Sequence, residues 1–241
     1  MLLKAAINGS RLPGEHPALP LYPAELAAAV AGVTKAGAGA VHLHVRAPDG
    51  RESLAAPDVS AVVEAVRSTC GSVPLGVSTG AWIVPDPGAR LAAVAAWHLV
   101  PDFASVNFHE PGAAELARAL LERGVGVEAG LVAAGAAHIL IEAGLGASCL
   151  RVLLEPQEAE VAEALRTVES IEAVLAAARI DLPRVLHGTG PTAWPLLRVA
   201  GRRGYDARIG LEDTLQLPDG SLARDNAQMV VAALDELPGR P

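Results

Sequence analysis

A chain of 241 residues is long enough for one large core, and length alone also permits two. A net charge of −8 with no basic run argues against a nucleic-acid surface, and no uninterrupted apolar stretch is long enough to span a bilayer. Hydrophobic residues make up 51% but aromatics only 3%, so Ala, Val, Leu and Gly fill the core and allow close helix-on-strand packing. Cys70 and Cys149 lie far apart with no Cys-x-x-Cys pair, and the N-terminus has no apolar run with a cleavage site. The expectation is a soluble, cytoplasmic protein in a reducing compartment.

Strands and helices alternate along the chain. The first strand spans Leu3 to Asn8 and is followed by a proline-rich loop. Pro23 opens an alanine-rich helix to about Ala36, closed by Gly37 and Gly39. A strand from Ala40 to Arg46 follows, then a turn at Asp49-Gly50 and a helix from Pro57 to about Cys70. Pro74 to Ser78 reads as strand, Pro87 to Trp97 as helix, Phe103 to Phe108 as strand and Ala113 to Arg123 as helix. The second half continues with a short strand from Val125 to Glu128, a helix from Leu131 to Glu142, a strand from Ser148 to Glu155 and a long acidic helix from Glu158 to Arg179. Arg184 to His187 is strand, Thr192 to Arg203 helix, Asp206 to Glu212 strand, and the last helix runs from about Leu222 to Leu237. Eight such units without a linker predict a single (β/α)8 TIM barrel over residues 1–241. An open doubly wound sheet is the alternative, but the turn after strand one, Asn8 to Arg11, carries no dinucleotide or phosphate-loop glycine pattern.

The second strand carries the most information. Val41, Leu43 and Val45 face one way; His42, His44 and Arg46 face the other. A rise of about 3.3 Å per residue puts the two imidazoles roughly 7 Å apart at Cα. They suit a borderline metal such as zinc if a third ligand arrives from elsewhere. The same parity applied to every strand end gives Asn8, Ser78, Ser105, Asn107, Glu128, Arg151, Glu155, His187, Arg208 and Glu212. In a barrel these converge at the C-terminal mouth, where active sites sit. A structural ion network is the alternative for such a set.

The stretch from Arg208 to Asp213 supplies the missing ligand. Arg208, Gly210 and Glu212 share the inward face, and strand eight closes onto strand one beside strand two. Two imidazoles and the Glu212 carboxylate leave an open coordination position for substrate. Asp213, kept anionic by Arg208, suits a base acting on an acidic carbon proton beside a polarised carbonyl. A helix-capping acidic turn is the plainer reading of Glu212-Asp213. Gly188 to Pro191 and His109-Glu110 lie at strand ends as well, without a specific assignment.

His42 to Arg46, Val77 to Gly80, Arg208 to Asp213 and Asn226 to Val230 together resemble the β-keto acid cleavage enzymes, from strand one to the last helix. The resemblance implies a zinc-dependent barrel, usually a homotetramer, with His42, His44 and Glu212 on the metal. It implies that Asp213, held by Arg208, removes a proton from the carbon between ketone and carboxylate. The enolate then attacks acetyl-CoA, and a retro-Claisen step releases acetoacetate and a new acyl-CoA. Ser78 and Asn107 are implied as hydrogen-bond donors, and Glu128 and Arg46 as part of the substrate pocket. Members are longer, and this chain lacks loop material after strands four to six. It has Phe108-His109-Glu110 where a Gly-Ser/Thr is usual. It also has Arg11 where the aminohexanoate-cleaving members carry an acid that meets the substrate amine, so a neutral or anionic tail is expected. Two rivals are a CoA-independent metal aldolase or hydrolase, and a non-catalytic zinc-binding barrel.

Overall fold

The computed structural model describes residues 1–237. Eight parallel strands close into a barrel in chain order, with β1 (Leu3–Ala6) pairing both β2 (Ala40–Leu43) and β8 (Asp206–Ile209). Between them run β3 (Leu75–Ser78), β4 (Phe103–Asn107), β5 (Gly126–Leu131), β6 (Arg151–Leu154) and β7 (Arg184–Leu186). Helices α1 (Pro23–Ala36), α2 (Ala56–Cys70), α3 (Pro87–Ala95), α4 (Ala113–Glu122), α5 (Ala134–Glu142), α6 (Val161–Ala177), α7 (Ala193–Arg203) and α8 (Asn226–Glu236) follow the strands in turn. The expected (β/α)8 TIM barrel is therefore the observed fold. Among the described residues, no helix is long and apolar enough to cross a membrane.

The period-two rule decides what faces where. Val41, Leu43, Val77, Val106, Val127, Ala129, Val152 and Ile209 point outward into one core shared with the helices. The alternate positions point into the barrel, and many of them are polar. Local signals start and stop the helices. Pro23 opens α1, and Glu25 reaches back to the Leu21 and Tyr22 amides. Asp225 caps α8 by accepting from Gln228 N.

Several boundaries differ from the sequence expectation by up to four residues, and two of the shifts have a clear physical reason. β5 runs on to Leu131, because Ala129 and Leu131 continue the outward apolar face and Gly130 lets the strand pass Asn107. The last helix starts at Asn226 rather than Leu222, because Leu222 pairs back onto Gln216 in an antiparallel bridge and the cap falls at Asp225.

The deeper barrel interior is charged. Lys4 and Glu128, both fully buried, meet at 2.5 Å, and Arg151 Nε lies 3.1 Å from the other Glu128 oxygen. The Phe103 ring lies 5.9 Å from Lys4 Nζ and 5.4 Å from the Arg151 guanidinium carbon. Burial pulls the Lys4 pKa below its usual value, and Glu128 resists that pull. The structural ion network weighed from sequence thus exists, at this lower level.

Candidate metal centre and active site

The mouth is assembled where β8 closes onto β1. A Cβ on Gly210 would lie 1.8 Å from Ala6 O, so only glycine lets the two backbones approach there. Asn226 at the start of α8 fastens the same seam, accepting from Leu211 N at 2.8 Å and donating to Ile7 O at 2.9 Å. Asn8 fastens β1 to β2 by a reciprocal pair with the His44 backbone, 2.9 and 2.8 Å. These amide clamps give Glu212 a fixed place opposite the two histidines.

His42, His44 and Glu212 come together as the strand parity requires. Each offers a donor atom, and the three atoms lie within 4.8 Å of one another. Nε2 of His44 is 3.5 Å and Nε2 of His42 is 3.8 Å from Glu212 Oε1. Tetrahedral zinc with bonds of about 2.0–2.2 Å spaces its ligand atoms about 3.3 Å apart, so an ion of that size fits with little adjustment. Glu212 Oε2 is buried with no partner, which leaves a donor atom free for such an ion. Arg208 also donates to Glu212 Oε1. Burial alone would raise the Glu212 carboxyl, but Arg208, His44 and His42 hold it well below the carboxylate range.

The two imidazoles differ. Burial drives the His42 pKa well below its ordinary value, with Glu212 only partly opposing. Burial also opposes charge on His44, yet Glu212 and Glu52 outweigh it and lift it to about 9. The residues present fit a divalent metal.

Beside this cluster stand further ionisable side chains. Arg208 Nη2 donates to Asp213 Oδ1 at 2.7 Å, and its Nε lies 3.2 and 3.3 Å from the two carboxylate oxygens. Asp213 is itself 1% exposed. On its other side His187 Nδ1 lies 3.4 Å from Asp213 Oδ1, while His187 Nε2 lies 3.5 Å from Glu155 Oε2. Burial and Arg208 work against charge on His187, but Asp213 and Glu155 prevail and its pKa is raised.

Other expected residues are placed differently. Ser78 is buried on the inward face at the end of β3. Asn107 ends β4 and donates to Glu110 Oε1 at 2.9 Å, which leaves one amide hydrogen and its oxygen free. Glu128 belongs to the buried Lys4–Arg151 network and has no exposed surface. Arg46 is buried and gives its guanidinium to the carbonyls of Gly50, Gly9 and Arg11, at 2.9, 2.7 and 2.7 Å. Arg11 donates to the Leu211 and Glu212 carbonyls and pairs with Glu15 at 3.1 Å. Both arginines therefore hold loop backbone around the site, and neither offers an unengaged guanidinium to a substrate tail. Sequence parity did not reach Glu52 and Trp82, which come from the loops after β2 and β3. Glu52 Oε1 hydrogen-bonds His44 Nδ1, and the Trp82 ring stacks on His44 at 6.0 Å and 25°. Two hollows open at the mouth, about 600 Å³ beside Arg46, Glu52 and Trp82, and about 300 Å³ beside Trp82, Asn107 and Glu155.

The chain is 25% identical over 248 residues to a 3-keto-5-aminohexanoate cleavage enzyme of Fusobacterium nucleatum subsp. nucleatum, an alignment covering 95% of this chain and 88% of that protein. Among solved structures it resembles the binary complex of ObcA with oxaloacetate, at a TM-score of 0.71 and 19% identity. That match covers 91% of this chain and 63% of the ObcA chain, so the chain spans less than two thirds of its length. The ternary complex of ObcA with a C4-CoA adduct and oxalate matches at a TM-score of 0.70 and 19% identity, over 91% of this chain and 64% of that one. At such identity these two likenesses speak for the fold. The profile of the beta-keto acid cleavage enzymes matches residues 1–237, and over that span the chain belongs to the beta-keto acid cleavage enzyme family.

Proposed function

We propose that the chain is a zinc-dependent enzyme that condenses a β-keto acid with acetyl-CoA and releases acetoacetate and a new acyl-CoA. The observation that carries this reading is the meeting of His42, His44 and Glu212 with the Arg208–Asp213 pair at one end of one barrel. The structures named for ObcA with oxaloacetate and with a C4-CoA adduct support a keto acid and a CoA thioester as the substrate classes.

Zinc held by His42, His44 and Glu212 supplies a Lewis acid that acidifies the carbon between ketone and carboxylate. Asp213 takes the proton from that carbon. Arg208 grips the Asp213 carboxylate through Nη2 and Nε, which fixes its direction. The carbanion forms a bond to the acetyl carbonyl carbon, and CoA thiolate leaves. The thiolate then adds to the former ketone carbon, and the bond from that carbon to the central carbon breaks. The central carbon keeps the electron pair and takes back the proton from Asp213 to give acetoacetate, and the tail departs as its acyl-CoA. Ser78 and the free Asn107 amide hydrogen are the neutral donors for the carboxylate or the developing oxyanion.

A CoA-independent aldolase or hydrolase would use the same metal and base. Incubation of the zinc-loaded protein with β-keto acids of different tails, with and without acetyl-CoA, separates the readings. Acetoacetate formed only when acetyl-CoA is present supports the proposal; cleavage at equal rate without it refutes it.

A further inference from the structure

We propose that Glu52 is a positioning residue for the metal: it sets the tautomer and ring angle of His44, and Trp82 holds Glu52 in place. The inference rests on the metal reading given above.

The geometry points one way. Glu52 Oε1 faces His44 Nδ1, so Nδ1 carries hydrogen and donates to the carboxylate. Nε2 of the same ring, with its lone pair, then faces Glu212 and the ion position. A second carboxylate behind a ligating imidazole raises its basicity and fixes its orientation. His42 has no such partner, since its Nδ1 is buried and unpaired. The two histidine ligands are therefore unequal, and His44 is the strongly held one.

Glu52 is itself tied down from three sides. Trp82 Nε1 lies 3.2 and 3.1 Å from its two oxygens, and the indole ring stacks on His44. Gly80 makes room for that ring, because a Cβ there would lie 2.2 Å from the indole. The Glu52 backbone is pinned by an antiparallel bridge to Arg46, whose guanidinium in turn ties the loops after β1 and β2 together.

The test is a zinc titration of metal-stripped protein against a chromophoric chelator, with thermal melting of each variant in parallel. Glu52→Gln keeps the shape and an acceptor but loses the charge. Its zinc affinity is expected to fall about 10- to 100-fold. Trp82→Phe keeps the stacked ring and loses the indole donor; a fall of less than tenfold is expected there, with unchanged melting. Nitrogen-15 spectra of the wild-type zinc form are expected to show His44 protonated at Nδ1 and ligated through Nε2. Glu52→Gln affinity within twofold of a tightly binding wild type, or zinc on Nδ1 of His44, overturns the inference alone. A wild type that takes up no zinc overturns the inference together with the metal reading.

Discussion

His44 and Asp213 follow β2 and β8, the two neighbours of β1, yet fail differently when changed. His44→Ala removes a ligand whose loss leaves His42 and Glu212 alone, and stoichiometric zinc is expected to disappear from elemental analysis. Asp213→Asn leaves the three ligands in place. It is expected to retain zinc while turnover falls by a factor of about 10²–10⁴, the usual share of a positioned base. A metal-free Asp213→Asn protein would exchange these roles. Gly9 gives a subtler case. It has φ +55°, and a Cβ there would lie 2.4 Å from Glu212 Cγ. Gly9→Ala is expected to cost roughly tenfold or more in zinc affinity through displaced carboxylate and strained backbone, read by the same chelator competition. At this scale the histidine pair and Glu212 were legible because period two places them inward, and Asp213 because it follows Glu212 beside Arg208 at the strand end. Glu52 was not. It lies eight residues beyond His44 across a turn, and only the Arg46–Glu52 bridge brings it back behind the ring.

Strands and helices were legible in kind and order because prolines, glycines and apolar alternation mark each one. Their ends were not, since a partner strand or a cap decides them. β5 reaches Leu131 because β4 and β6 still pair with it there, and α8 waits for Asp225. Parity also cannot tell how deep an inward residue lies. Glu128 shares its face with Asn107's neighbours yet pairs with Lys4 near the start of β1. Lys4→Met is expected to leave Glu128 with Arg151 as its sole cation and to lower stability by about 3–5 kcal/mol in urea unfolding, the cost of breaking a buried pair. Asn226→Ala unfastens β1 from β8 and is expected to cost about 1–3 kcal/mol by the same measurement, since Leu211 N loses its acceptor.

For the whole molecule, an ion that binds only the folded barrel stabilises it by mass action. At a free zinc concentration 100 times the dissociation constant this is about 2.7 kcal/mol, and a domain of this size shifts by about 2–4 °C per kcal/mol. Chelation is therefore expected to lower the melting temperature by about 5–10 °C. The pH profile carries a separate mark from His187, whose folded pKa is raised above about 6.5 by Asp213 and Glu155 against burial and Arg208. A raised histidine stabilises the fold fully below its unfolded pKa, and that contribution is lost as pH climbs through the folded value. His187→Gln is expected to flatten this part of the decline on the alkaline side of a melting-temperature profile. Composition and charge had pointed to an acidic chain with a core of small apolar residues. They could not reveal that the barrel's axis is itself lined with ions.

The Lys4–Glu128–Arg151 knot has one more effect. With Phe103 against it, the knot fills the lower barrel interior, beneath the mouth where the two hollows open. On the proposed reaction both reactants enter by that mouth, the keto acid first to the proposed metal ligands and the thioester above it. The last to arrive is the first free to go, so product-inhibition patterns should show compulsory order rather than random access.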